Sequence, residues 1–201
     1  MVRVKICGIT NYRDAHEAVY CGAWALGFIF YKKSPRYIQP STAREIVETL
    51  PPFVTPVGVF VNEKEGAVRK ICHSVGIHTV QFHGDEDPSY CRQFKGFKVI
   101  KAFRIKDEVN WQRVRKYKVD AYLFDTYLEG ARGGTGETFQ WEILREANFD
   151  RPLILSGGLN PGNVREAIKI LHPYAVDAAS GVEKSPGVKN HRLMRAFFAC
   201  V

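Results

Sequence analysis

The sequence predicts an α/β protein folded as a single closed (β/α)8 barrel, the TIM-barrel architecture. Short β-type runs alternate with helical patterns from one end to the other, which is typical of βα units around a parallel sheet. Eight such pairs can be counted, and the first strand is not followed by the GxGxxG turn of an open dinucleotide-binding sheet. The 201 residues give each unit about 25, near the lower limit of about 200 for this barrel. We therefore expect one domain over residues 1–201, of near-minimal length.

The predicted strands are mostly continuous apolar runs, as expected for strands that are covered on both faces. In chain order they span residues 2–9, 24–30, 56–61, 78–83, 98–103, 121–126, 152–156 and 175–179.

Between the strands, apolar residues recur at the i, i+3, i+4, i+7 spacing of one helix face. The clearest examples span residues 43–50, 68–75, 164–171 and 194–201. Thr42, three residues before Glu45, predicts a capping box at a helix start, and Asn163 predicts another start. Gly22 and Gly76 stand where helices are expected to end.

The composition is that of a globular protein with a basic surface. Hydrophobic residues make up 45% and charged residues 25%, which excludes collagen-like, low-complexity and wholly disordered classes. The net charge of +8 favours an anionic partner: a nucleic acid, an anionic membrane surface or a phosphorylated small molecule. Charge alone leaves these three open.

Cysteine usage and the apolar runs indicate a reduced, cytoplasmic protein. The five cysteines form no CxxC pair, so neither a zinc ribbon nor a disulfide scaffold is indicated. The chain opens without an apolar signal-peptide segment, and its best apolar run, residues 24–30, is far shorter than a membrane span. We expect neither secretion nor membrane insertion.

In a barrel of this kind, chemistry lies at the carboxyl ends of the strands. After the seventh and eighth strands, Gly157 and Gly158, then Ser180 and Gly181, allow backbone N–H groups to converge on a phosphate. The alternative is two tight turns that only need a positive φ. A third group, GGTG at residues 133–136, follows the sixth strand in a loop that could close over a ligand.

Two strand-end residues are candidates for proton transfer. Cys7 ends the first strand and can act as a base only after losing its proton, which a nearby cation such as Arg36 would favour. Asp125 ends the sixth strand and can be an acid, a base or a hydrogen-bond anchor. The alternatives are a small buried hydrophobe for Cys7 and loop capping for Asp125.

Three further residues are candidates for ligand binding. Arg36, in the loop after the second strand, suits bidentate capture of a carboxylate or phosphate. His83, at the end of the fourth strand, is a ligand contact or a loop hydrogen-bonder, and Asp177 within the eighth strand orients a polar ligand group or pairs with a basic neighbour. No HExxH or other His/Asp cluster predicts a metal site.

Eight segments, in register along nearly the whole chain, closely resemble the phosphoribosylanthranilate isomerases of tryptophan biosynthesis. They are KICGIT at residues 5–10, GFIFYKKSPRYI at 27–38, VGVFVNE at 57–63, QFHGDE at 81–86, FDT at 124–126, GGTGETFQW at 133–141, LSGGLNPGNV at 155–164 and VDAASGVEKSPGVK at 176–189.

The resemblance implies a cofactor-free (β/α)8 enzyme that catalyses an Amadori rearrangement of a phosphoribosyl substrate. Cys7 matches the family's general base and Asp125 its general acid, while Arg36 matches the group that holds the anthranilate carboxylate. Asp177 matches a residue lining the site, and Gly157, Gly158, Ser180 and Gly181 match the phosphate loops. The implied partner is a small molecule, with no nucleic acid or membrane, and the protein is a monomer or a homodimer.

The chain departs from the family pattern at Gln140 and Asn190, where Asp is expected, and at Ala178–Ala179, which replace more polar neighbours of Asp177. A related isomerase on the same barrel, the histidine-pathway aldose–ketose isomerase, is the nearest alternative; its mechanism uses two aspartates, whereas the first strand here offers Cys7. A basic nucleic-acid-binding module is less favoured, because no aromatic-interleaved basic patch appears.

Overall fold

The computed structural model describes residues 2–105, 109–126, 141–145 and 150–201. Eight parallel strands close into a barrel in the order β1 to β8, with β8 pairing back onto β1. Their bounds are β1 Arg3–Cys7, β2 Ala25–Ile29, β3 Thr55–Phe60, β4 Thr79–Phe82, β5 Lys98–Ile105, β6 Ala121–Thr126, β7 Leu153–Ser156 and β8 Ala175–Ala178. The predicted (β/α)8 barrel is confirmed.

A helix follows each strand before the next one begins. The bounds are α1 Tyr12–Tyr20, α2 Pro40–Val47, α3 Glu65–Val75, α4 Pro88–Arg92, α5 Trp111–Val114, α6 Glu142–Arg145, α7 Val164–Leu171 and α8 His191–Phe198. Between β8 and α8 the chain adds a 3-10 turn, Ser180–Val182, and a two-stranded hairpin formed by β9 Glu183–Ser185 and β10 Val188–Lys189. In the part of the chain that the structure describes, no helix is both long and apolar enough to cross a membrane.

Alternating strand residues face the inside and the outside of the barrel. The inside holds a small cluster that includes Val57, Ile100, Leu123 and Ile154. The other face of each strand packs against the helices in a much larger core.

Helix ends differ from the sequence expectation at one position. Thr42 was expected to start a helix, but α2 begins at Pro40, so Thr42 lies within its first turn. Proline is favourable at the first helical position because its missing N–H would have no partner there. Asn163 does occupy the N-cap position of α7, although its side chain makes no capping hydrogen bond within the helix. Gly76 ends α3 in a left-handed conformation, as predicted.

Candidate active site

The carboxyl ends of the strands surround one mouth, and a cavity of about 710 Å³ opens on its β2–β5 side. Of the candidate residues, Arg36 and His83 line this cavity. His83 also contacts Asp125 at the end of β6, so the cavity adjoins one of the two residues expected to transfer protons.

Cys7 is buried at the end of β1, and Gly27 on β2 makes the room for its thiol. The two residues are register partners, and a Cβ atom built on Gly27 would lie only 2.7 Å from Cys7 Sγ. Burial raises the pKa of the Cys7 thiol, and the positive charge of Lys5 partly opposes that rise. The cation next to the thiol is therefore chiefly Lys5, two residues earlier on the same face of β1, rather than Arg36.

Lys5 and Asp177 form an ion pair inside the barrel, below Cys7. Lys5 Nζ lies 2.8 Å from Asp177 Oδ2, and both side chains are buried. Burial lowers the pKa of Lys5, but Asp177 and Cys7 more than reverse this, so the pKa is raised and the ammonium stays charged. The other carboxylate oxygen, Asp177 Oδ1, has no hydrogen-bond partner among the described residues.

Arg36 is held by Glu183 in a bidentate pair that joins the loop after β2 to the hairpin after β8. Arg36 Nε lies 2.9 Å from Glu183 Oε1, and Nη2 lies 2.7 Å from Oε2. This geometry uses the N–H of Nε and one N–H of Nη2, which leaves both N–H groups of Nη1 and the second N–H of Nη2 for a ligand. The pair with Glu183 leaves the Nη1 side of the guanidinium free to bind a carboxylate, so capture of a substrate carboxylate by Arg36 stays a prediction.

Lys189 extends this network to the end of β1. Its Nζ lies 2.9 Å from Glu183 Oε1 and 2.5 Å from the backbone oxygen of Cys7, and its side chain is 0% exposed. Burial raises the pKa of Glu183, but Arg36 and Lys189 outweigh this and lower it overall. Glu183 and Lys189 together thus tie the end of β1 and the loop after β2 to the hairpin after β8.

His83 and Asp125 face each other at the ends of β4 and β6. His83 Nε2 lies 3.0 Å from Asp125 Oδ2, and Gln81 Nε2 lies 3.0 Å from His83 Nδ1. His83 therefore contacts both the candidate acid and the interior of the barrel.

The loop after β4, which carries His83, is fixed by a buried ion pair. Lys101 Nζ lies 3.1 Å from Glu86 Oε2, and both side chains are almost fully buried. Glu86 also accepts hydrogen bonds from the backbone N–H groups of Asn62 and Gly84. These bonds hold the chain rigid immediately beyond His83.

The glycine segments after β7 and β8 lie directly against each other. Gly157 and Gly158 have φ angles of 93° and 62°, so the conformation predicted for tight turns is present. Within the described chain, no hydrogen bond uses the backbone N–H of Gly158, Ser180 or Gly181 as its donor. A Cβ atom on Gly181 would collide with the backbone oxygen of Leu159, so only glycine lets the loops approach this closely.

Two features singled out in the sequence, GGTG at residues 133–136 and Gln140, lie outside the described residues. Asn190 caps α8, because its side-chain oxygen accepts a hydrogen bond from the N–H of Leu193.

Sequence reasoning missed Lys5, Gln81, Glu183 and Lys189 as parts of the site. Lys5 and Gln81 carried a signal, because a polar residue in an apolar strand, on the face shared with Cys7 or His83, must lie inside the barrel. Glu183 and Lys189 lie in the segment at residues 176–189 that resembles the family. Nothing in the neighbouring sequence indicates that Glu183 pairs with Arg36 or that Lys189 bonds to the end of β1.

The family model of N-(5'-phosphoribosyl)anthranilate (PRA) isomerase matches residues 4–200. The chain belongs to this family. The isomerase of that name from Geobacter sulfurreducens is 49% identical over 197 residues, which cover 98% of this chain and 97% of the relative.

Solved PRA isomerases share the fold. The crystal structure from Thermotoga maritima superposes with a TM-score of 0.90 at 46% identity, covering 98% of this chain and 97% of the other. A second one, in complex with reduced 1-(o-carboxyphenylamino)-1-deoxyribulose 5-phosphate, gives a TM-score of 0.84 at 43% identity, with 98% and 97% covered. The chain is thus an isomerase of tryptophan biosynthesis that acts on a phosphoribosyl substrate.

Proposed function

We propose that the mouth of this barrel converts N-(5-phosphoribosyl)anthranilate to 1-(2-carboxyphenylamino)-1-deoxy-D-ribulose 5-phosphate, with Cys7 as general base and Asp125 as general acid. One observation carries the proposal. The backbone N–H groups of Gly158, Ser180 and Gly181, in the loops after β7 and β8, donate no hydrogen bond to any described residue. These two strands lie between β6, which carries Asp125, and β1, which carries Cys7. A ribose anchored by its phosphate at these loops has a carboxyl group on one side and a thiol on the other.

In the first step, Asp125 gives its proton to the ribose ring oxygen. The bond between that oxygen and C1 breaks, and the anthranilate nitrogen supplies the electron pair that forms the iminium ion. Asp125 is left as a carboxylate, which accepts the hydrogen bond from His83 Nε2 over the observed 3.0 Å.

In the second step, the Cys7 thiolate removes the proton from C2. The electron pair of the broken C–H bond forms the enolamine, which tautomerises to the ketone. No electrons leave the substrate, so the reaction as written needs no cofactor. Because burial raises the pKa of Cys7, the thiolate is a minor form at neutral pH, and Lys5 stabilises it when it forms.

The phosphate is assigned to the loops after β7 and β8. The N–H groups of Gly158, Ser180 and Gly181 supply donors, and Gly157 provides the turn that brings its neighbour toward the mouth. Because Gly157, Gly158 and Gly181 have no Cβ atom, the oxygens of a phosphate can approach the backbone closely and accept these hydrogen bonds.

Arg36 is assigned to the anthranilate end of the substrate and Asp177 to its ribose. Arg36 lines the cavity and offers Nη1 to the anthranilate carboxylate, while Glu183 holds the other edge of the guanidinium. Asp177 Oδ1, which lacks a partner among the described residues, suits a ribose hydroxyl as donor. His83 contributes by its hydrogen bond with Asp125 and as part of the cavity wall.

The partner under this proposal is the small-molecule substrate, with no nucleic acid or membrane, and the protein works in the cytoplasm as a monomer or a homodimer. The net charge of +8 then attracts a substrate that carries both a phosphate and a carboxylate. A gel shift with steep salt dependence would speak for nucleic acid instead.

A crystal structure with the reduced product analogue tests the assignments together. We expect the phosphorus between the loops at Gly158 and Gly181, the carboxylate at Arg36, and the sugar between Cys7 and Asp125. A phosphate bound elsewhere, or a sugar out of reach of either residue, would overturn the proposal.

A further inference from the structure

Three side chains form a continuous hydrogen-bonded line from the barrel interior to the mouth. Gln81 is fully buried on β4, on the face it shares with its interior register partner Ile100. Its Nε2 lies 3.0 Å from Nδ1 of His83, and Nε2 of His83 lies 3.0 Å from Oδ2 of Asp125. Each of these contacts uses a different ring nitrogen of His83.

The first contact determines where the imidazole proton is. In the orientation that the Gln81 amide has in this structure, Nε2 faces His83; an amide nitrogen carries two hydrogens and accepts no hydrogen bond, so Nε2 donates and His83 Nδ1 accepts. A ring nitrogen that accepts carries no proton, which places the single proton on Nε2. His83 is then a neutral imidazole that donates to Asp125 Oδ2.

We propose that Gln81 is a positioning residue that fixes the Nε2–H tautomer of His83 and thereby directs the transferable proton of Asp125 to Oδ1. A proton on Oδ2 would face the N–H of His83, so the protonated acid carries it on the other oxygen. During catalysis the Oδ1–H bond breaks, the proton passes to the substrate, and His83 keeps its own proton. This inference rests on the proposed role of Asp125 as the acid.

Packing alone does not explain an amide at this position. Gln81 Oε1 is buried and has no partner among the described residues, which costs stability. An apolar side chain of similar length would fill the same space without that cost. The hydrogen bond to His83 is the interaction that requires the amide.

Gln81→Glu tests the proposal by exchanging the donor for an acceptor. The new carboxylate draws a proton to His83 Nδ1. His83 Nε2 then either accepts a hydrogen bond from protonated Asp125, or carries a second proton and faces an ionised Asp125. In neither state does Asp125 offer a proton to the substrate. We expect kcat to fall by about 100-fold, within the range of general acid catalysis, with KM changing by less than about 3-fold.

Nitrogen-15 NMR of the His83 ring supplies a readout that does not depend on turnover. In the unmodified protein we expect an N–H at Nε2 and an unprotonated, pyridine-like Nδ1. In Gln81→Glu the N–H signal should appear at Nδ1. A proton on Nδ1 in the unmodified protein would overturn the proposal whether or not any variant folds.

A double-mutant cycle with His83→Gln separates positioning from a structural effect. The amide at position 83 has no tautomers, so adding Gln81→Glu in that background should lower kcat by less than about 3-fold. An equal loss in both backgrounds would contradict the proposal. Gln93→Glu, which makes the same charge change at an exposed position, should leave kcat unchanged and serves as the matched control.

The outcome also distinguishes this inference from the proposed function. If Asp125→Asn keeps its activity, the acid assignment itself is wrong. If Asp125→Asn is inactive while a folded Gln81→Glu turns over normally, only the role of Gln81 is wrong.

Discussion

Lys5 Nζ lies 2.8 Å from Asp177 Oδ2 inside the barrel, where both side chains are 4% exposed. β1 and β8 are neighbours in the closed sheet, and Lys5 and Asp177 are register partners. The pair therefore joins the strand of the proposed base to the strand that precedes a proposed phosphate loop. Its ammonium group is also the main charge that opposes the burial of the Cys7 thiol.

Lys5→Met should shift the pH dependence of catalysis. Because the pKa of Cys7 is raised, kcat/KM of the unmodified enzyme should rise with pH above neutrality as the thiolate fraction grows. Loss of the Lys5 cation raises the pKa further and moves this rising limb to higher pH. Lys5→Arg keeps the charge and should leave the limb near its original place, whereas an unchanged profile in Lys5→Met would contradict this account of Cys7.

Gly27→Ala should lower kcat by about 10-fold or more, because the added Cβ would lie 2.7 Å from Cys7 Sγ and force the thiol to move. Gly66→Ala on α3 places the same methyl group in open space and serves as the control. Steady-state kinetics of both variants test the idea. Equal kcat values for the two would show that the position of the thiol is not set by Gly27.

Gly158→Ala should weaken phosphate binding. Gly158 and Gly96 both have positive φ angles, 62° and 88°, and a Cβ on either meets nothing within 4 Å, so alanine strains the backbone at both. Only Gly158 lies in a proposed phosphate loop. We expect the dissociation constant for inorganic phosphate to rise several-fold in Gly158→Ala and to stay unchanged in Gly96→Ala, measured by calorimetry. A matching change in both would argue against the phosphate assignment.

Glu183→Gln should destabilise the protein in a pH-dependent way. At neutral pH it leaves Arg36 and the buried Lys189 without their carboxylate, which costs about 3 kcal/mol of the free energy of unfolding. Since the pKa of Glu183 is lower in the folded protein, its contribution is complete above the ordinary value of 4.5 and is lost as pH falls through the lowered one. The difference from the unmodified protein, measured by urea unfolding, should shrink below pH 4.5. A constant difference would contradict the role of this charge.

The strands were predictable because a buried parallel strand reads as an apolar run. The prediction ended β5 at Phe103, whereas the strand continues through Arg104 to Ile105, which pair with Asp125 and Thr126 on β6. A charged residue interrupts the apolar pattern there, although its backbone pairs normally. Hydrogen bonding to a neighbouring strand is not visible in the hydropathy of one segment.

The strand-end positions of Cys7 and Asp125 were likewise predictable, since parallel strands gather their carboxyl ends at one rim. The partners of these residues were not. Lys5 meets Asp177 across 172 positions of sequence, and Arg36 meets Glu183 across 147. Such pairs depend on closure of the barrel and on the hairpin after β8, which the helix and strand patterns did not indicate.

The central claim is that Cys7 and Asp125 carry the proton transfers, and it is tested most directly by the decay of phosphoribosylanthranilate fluorescence with three proteins: unmodified, Cys7→Ser and Asp125→Asn. The unmodified enzyme should accelerate the decay, and each variant should keep its fold by circular dichroism while losing turnover by about 100-fold or more. Near-normal turnover in either folded variant would contradict the assignment of that residue.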